Sequence, residues 1–159
     1  MGFNKGPTNM ERNTSMRLQE GAAYVLDASV VLKWYARDKE KDLENALKIR
    51  EDFKGRTIGL FAPELLVYEI ANVLRYKETL EERLVLNAIV SIYEMRIMRS
   101  VNQGVMEEAI RLARRYDITV YDSTYMSFAK NLGCTLITAD RKLLQRTKPV
   151  PNILSIDEY

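Results

Sequence analysis

Two stretches of the sequence run apolar residues straight into a carboxylate: Tyr24-Val25-Leu26-Asp27-Ala28-Ser29 and Thr135-Leu136-Ile137-Thr138-Ala139-Asp140. Each is followed by a helix-like pattern, so each reads as a buried strand of an α/β unit, and open α/β sheets collect ligands at the carboxyl ends of their strands. Asp27 and Asp140 are therefore expected at one shared acidic site. Glu69 is a third carboxylate of interest: helical spacing places it between Leu65 and Val73, on or beside a stripe that should face the core, where an acid needs a partner. Glu64, in the first turn after Pro63, needs nothing beyond the helix dipole. Asp122 is the fourth, at the start of a helix in Val120-Tyr121-Asp122-Ser123-Thr124-Tyr125. Taken alone it reads as an N-cap. Ser29 is a helix cap that could also touch a metal-bound water, Asn72 lies one turn beyond Glu69, and Thr138 shares a strand face with Asp140.

The chemistry open to these acids is narrowed by what is missing. The chain has no histidine, which excludes Ser-His-Asp and Cys-His catalysis, His-ligated zinc and histidine general bases together. If the protein is a hydrolase, carboxylates must do the work, most simply by holding a hard cation such as Mg²⁺ or Mn²⁺. Its single cysteine, Cys134, forms no disulfide framework and sits in an apolar run, as a core residue of a protein from a reducing cytoplasm would. A formal charge of +2 is compatible with a nucleic-acid partner without requiring one. Arg111, Arg114 and Arg115 read as a solvated helix face. Arg141 and Lys142, directly after Asp140, are the candidates for phosphate contacts.

The elements that must position these residues follow from periodicity. With 159 residues and 47% hydrophobic content, one core is expected. Residues 1–22 are polar and aperiodic and read as a flexible tail or leader, leaving residues 23–159 as the domain. A helix is expected from about Asp42 to Phe53, a strand over Ile58–Phe61, and a helix with Pro63 as its first residue. Further helices are expected over Leu80–Met95 and Val105–Tyr116, and from about Asp122 to a stop at Gly133. Arg96–Val101 and Ile153–Ile156 read as strands, and Ile118–Tyr121 as strand or loop. Alternating strands and helices give an α/β domain with a mostly parallel sheet. No run reaches the roughly 18 apolar residues of a membrane span.

With the four acids placed, the chain resembles the PIN-domain nucleases, and within them the VapC-type toxins of prokaryotic toxin-antitoxin pairs. The matching segments are Leu26-Asp27-Ala28-Ser29, Pro63-Glu64-Leu65-Leu66-Val67-Tyr68-Glu69-Ile70-Ala71-Asn72-Val73-Leu74, Tyr121-Asp122-Ser123-Thr124-Tyr125 and Leu136-Ile137-Thr138-Ala139-Asp140-Arg141-Lys142-Leu143. The resemblance implies a three-layer α/β/α sandwich around a mostly parallel sheet of about five strands, with Asp27, Glu69, Asp122 and Asp140 converging as catalytic and metal-binding residues. It turns Asp122 from a cap into a site residue and gives Ser29, Asn72 and Thr138 supporting contacts. It also implies Mg²⁺ or Mn²⁺ as cofactor, RNA as substrate, a VapB-like antitoxin and a homodimer as partners, and the cytoplasm as location. The alternatives are a PIN nuclease of RNA processing outside toxin-antitoxin systems and a non-catalytic PIN-like module that binds RNA or protein. A phosphatase of the haloacid dehalogenase type would want a second Asp two positions after Asp27, where Ser29 stands.

Overall fold

In a computed structural model, residues 21–36 and 42–159 are described; most of the expected tail lies outside them. The described chain forms one five-stranded sheet, every pairing of which is parallel, in the order β3-β2-β1-β4-β5. The strands are β1 (Ala23–Leu26), β2 (Gly59–Pro63), β3 (Met98–Arg99), β4 (Thr135–Thr138) and β5 (Ile153–Ser155). The helices are α1 (Ala28–Val31), α2 (Leu43–Lys54), α3 (Leu65–Leu74), α4 (Glu82–Glu94), α5 (Gln103–Tyr116), α6 (Val120–Leu132) and α7 (Arg141–Arg146).

Strand β1 is central because its run is apolar without alternation, the pattern of a strand covered on both faces. Val25 and Leu26, with Leu136 and Ile137 of β4 beside them, are fully buried. The steps from β1 to β2 and from β2 to β3 go one way along the sheet, and those from β3 to β4 and from β4 to β5 go the other way. Right-handed crossovers therefore place α1–α4 on one face and α5–α7 on the other. The packing agrees, with α3 against α1 and α4, and α5 against α6. The carboxyl ends of all five strands lie along one edge, which carries Asp27 and Asp140.

One expected cap and two expected boundaries are corrected. Asp27, not Ser29, is the N-cap of α1; Ser29 is the second residue of that helix, and its amide donates to the Asp27 side chain. Pro63 ends β2 instead of opening the next helix, which starts at Leu65. On β2, the amides of Ala62 and Glu64 donate to Ile97 and Arg99 of the β3 segment, so the nitrogen of Pro63 faces β1, beyond the last registered pair Val25–Phe61. Its missing N–H breaks no ladder bond there. The segment Ile118–Tyr121 is neither strand nor loop throughout, because α6 begins at Val120 with Thr119 as its cap. Helix α6 ends as expected at Gly133, whose φ of +64° suits a residue without a Cβ.

Candidate active site

The Asp27 carboxylate, 7% exposed, is held by hydroxyl donors. Thr138 Oγ1 donates to Asp27 Oδ2 at 2.5 Å, Ser29 Oγ donates to the same oxygen at 2.9 Å, and the Ser29 amide approaches Oδ1 at 3.4 Å. The same two hydroxyls accept from the chain after β4: Ser29 Oγ from the Ala139 amide and Thr138 Oγ1 from the Asp140 amide, both at 3.0 Å. Ser29 and Thr138 thus fasten the end of β1 to the end of β4. Strand pairing brings those ends together, since Leu26 is in register with Ile137.

Asp140 is fixed by its own backbone. As the N-cap of α7 its Oδ1 accepts from the amides of Lys142 at 2.8 Å and Leu143 at 3.1 Å. Asp122 is held differently from the expected N-cap geometry. Thr119 is the cap, its Oγ1 accepting from the Asp122 amide at 3.0 Å and donating to Asp122 Oδ2 at 2.7 Å. Asp122 therefore stands in the first turn of α6 and retains only the favourable position at the helix's positive end. Asp122 and Asp140 both line an open groove of about 570 Å³, together with Thr119, Lys142 and Arg146.

Glu69, half-buried on α3, accepts a 2.5 Å hydrogen bond from the Tyr125 hydroxyl. Burial pushes its carboxyl up to about 7; the Tyr125 bond opposes that shift, and the negative charges of Asp27 and Asp122 add to it. Burial likewise raises Asp27, with the Thr138 and Ser29 bonds opposing and Asp122 adding. Three of the four expected acids are thus close enough to feel one another's charge, and Asp140 is linked to Asp27 through Thr138.

The remaining expectations divide. Lys142 lines the groove beside Asp140. Arg141 instead turns to Asp157 at 3.1 Å and Asp42 at 3.8 Å. Asn72 is exposed on α3. Sequence reasoning misses Tyr125, whose ring falls on the apolar stripe of its helix, and Thr119 and Arg146. The signal for Thr119 was present, since Thr-x-x-Asp ahead of a helix is a capping pattern. Tyr125 lies three residues after Asp122 and hence on a neighbouring face.

The donors gathered here are all oxygen, the type hard cations take. Among the described residues no three acidic or thiol side chains form a closed ligand cluster. Such a cluster is not required, because Mg²⁺ is commonly held by one or two carboxylates with its remaining positions filled by water and phosphate oxygens.

Comparison with known proteins identifies the family. Ribonuclease VapC3 of Pyrobaculum aerophilum is 27% identical over 128 residues, covering 77% of this chain and 92% of that protein. A crystal structure of PAE2754, also from Pyrobaculum aerophilum, superposes with a TM-score of 0.58 at 22% identity, over 86% of this chain and 90% of that one. VapBC-1 from nontypeable Haemophilus influenzae superposes with a TM-score of 0.61 at 16% identity, over 85% and 98%. The sequence profile of the PIN domain matches residues 24–149, from the first residues of β1 past the end of α7. With a match of that extent and the acids at the carboxyl edge of a β3-β2-β1-β4-β5 sheet, the chain belongs to the PIN domain family.

Proposed function

We propose that this protein is a divalent-cation-dependent endoribonuclease of the cytoplasm that hydrolyses RNA phosphodiester bonds, the toxin of a VapBC-type pair. The observation that carries the reading is the acidic set itself. Asp27 and Glu69 are raised by burial and by neighbouring carboxylates, and an acid cluster so placed is suited to a cation that offsets its repulsion. Asp27, Glu69, Asp122 and Asp140 would supply the carboxylates for Mg²⁺ or Mn²⁺, one or two of them bound directly and the others acting through the ion's water shell. When bound, such a cation activates water and neutralises developing charge at phosphorus, the tasks histidine performs elsewhere.

The chain's own residues do the rest. Ser29 and Thr138 hold Asp27 in one orientation, and the first turns of α6 and α7 hold Asp122 and Asp140 at the groove. Lys142 and Arg146, the cationic residues of the same groove, are placed to meet phosphate oxygens of a bound strand. Arg146 is paired with Asp117 at 2.5 Å, so a phosphate would compete for an existing partner. Chelation is the direct test. EDTA should abolish RNA cleavage and Mg²⁺ or Mn²⁺ should restore it; cleavage at full rate in chelator would refute the proposal.

The VapC likeness extends the reading to partners, a homodimer and a VapB-like antitoxin. Support for pairing comes from α4, where Leu86, Val90 and Tyr93 stand exposed along one stripe at 57%, 55% and 58%, more apolar than a solvent-facing helix requires. Light scattering should return twice the chain mass, and a monomer at working concentration would remove the pairing.

A further inference from the structure

Tyr125 is 1% exposed, and a core position of that kind would be filled as well by phenylalanine. What needs a reason is the hydroxyl. It donates to Glu69 Oε2 at 2.5 Å. Two helices therefore meet at one hydrogen bond: α3, which carries Glu69, and α6, on which Asp122 lies one turn before Tyr125. By the crossover argument α3 and α6 belong to opposite faces of the sheet, so this contact joins the two helical layers above the end of the central strand.

We infer that Tyr125 is a positioning residue of the acidic site, whose hydroxyl sets where the Glu69 carboxylate stands relative to Asp27 and Asp122. Glutamate has three rotatable side-chain bonds, and neighbouring negative charges push its carboxylate away from the site. The Tyr125 bond is the one found for that carboxylate among the described residues. A buried tyrosine has two rotatable bonds held by packing, which makes it a rigid donor. With Oε2 engaged, Oε1 is the oxygen left to bind a cation. Groups that orient metal ligands in this way commonly change metal affinity on the order of 10–100-fold when removed.

The inference rests on the cation reading proposed above, and the test separates the two. Mn²⁺ binding to the full chain is measured by the electron paramagnetic resonance of free Mn²⁺, alongside the melting temperature in chelator. The variants are Tyr125→Phe, Glu69→Gln and the double substitution. Tyr125→Phe should weaken Mn²⁺ binding about tenfold or more. The double variant should bind no more weakly than Glu69→Gln alone, because the hydroxyl acts only through Glu69. A purely structural tyrosine would instead lower the melting temperature, and its effect on affinity would multiply with that of Glu69→Gln. Glu69→Asp gives a second route that leaves Tyr125 intact. It keeps the charge but withdraws the carboxylate by one methylene from the hydroxyl, and should weaken Mn²⁺ binding at least as much as Tyr125→Phe. Wild-type affinity in Tyr125→Phe or Glu69→Asp, or multiplying effects in the double variant, overturns the positioning role. Absence of Mn²⁺ binding by the wild-type chain overturns the cation reading on which it rests.

Discussion

Asp27 and Glu69 come to the site from the interior, and side-chain hydroxyls hold them: Thr138 and Ser29 for one, Tyr125 for the other. Asp122 and Asp140 stand at an open groove in the opening turns of α6 and α7. There, backbone amides and a capping threonine fix them. The inner pair is placed by packing and bears the cost of burial, visible in the raised pKa of both groups. The outer pair is placed by local helix geometry, which would hold an aspartate at those positions in any protein. Asp27 also caps the short helix α1, accepting from the Ser29 amide at 3.4 Å, so Glu69 is the acid whose presence is least explained without a ligand, while Asp27 and each outer acid have a structural role as well as a proposed chemical one.

Substituting one acid of each pair tests this division, and the effect on activity is the largest expected. Asp27→Asn should lower the RNA cleavage rate more than about a hundredfold, since loss of a ligand should exceed loss of a group that merely orients one. Its melting temperature in chelator should hold or rise. The amide oxygen still accepts from the hydroxyls, and a buried charge with acidic neighbours is gone. Asp140→Asn should cost comparable activity with an unchanged melting temperature, because Asn caps a helix as well as Asp. A drop in melting temperature for Asp27→Asn with cleavage retained would make Asp27 a structural residue and dissolve the contrast.

A smaller effect is expected in the pH dependence of stability. Glu69 ionises at its ordinary value of 4.5 in the unfolded chain and near 7 in the folded one. Between those values the folded state binds the extra proton, so stability of the metal-free protein should fall as pH rises from about 4.5 to about 7 and level off above. Glu69→Gln should flatten much of that slope, with the part owed to Asp27 remaining. Thermal melts across this range, in chelator, check it; a slope unchanged in Glu69→Gln would mean that Glu69 is already ionised in the fold.

The outer acids and the strand-end acids differ from Tyr125 in how far they could be read without coordinates. Asp27 and Asp140 end apolar runs, and a run long enough to be a buried strand fixes both its direction and the place of the residue that follows it. Parallel pairing then gathers such residues at one edge, so their convergence was legible. Asp122 was identified, but its geometry was not: Thr119, three residues earlier, takes the cap and moves the helix start to Val120. Pro63 was read from the preference of proline for a first helical turn, yet the edge of β2's ladder accommodates it equally well. Tyr125 was invisible as a polar residue because its ring satisfies the helix's apolar period. Its hydroxyl's partner is 56 residues away in sequence, brought close only by packing across the sheet. Arg141 shows the converse. Adjacency to Asp140 suggested a phosphate contact, whereas the fold sets Asp157 and Asp42 against it.

The smallest effect expected is also the sharpest check on helix α3, which follows Glu64 and carries Glu69 five residues later. Glu64 is exposed at the helix start and Glu69 is half-buried beneath Tyr125. Five residues are about 500° of helical rotation, so the two side chains diverge by roughly 140° and cannot both address one site. Glu64→Gln should change the cleavage rate by less than about twofold and lower stability only by the few tenths of a kcal/mol that a carboxylate at an exposed helix start contributes. Glu69→Gln, the same chemical change, should cost most of the activity. Steady-state cleavage of one RNA by both variants, at fixed Mg²⁺, decides between them. Inactivation by Glu64→Gln with Glu69→Gln active would place the opposite face of α3 at the site and remove Tyr125 from it, and with that the inner half of the comparison would fail.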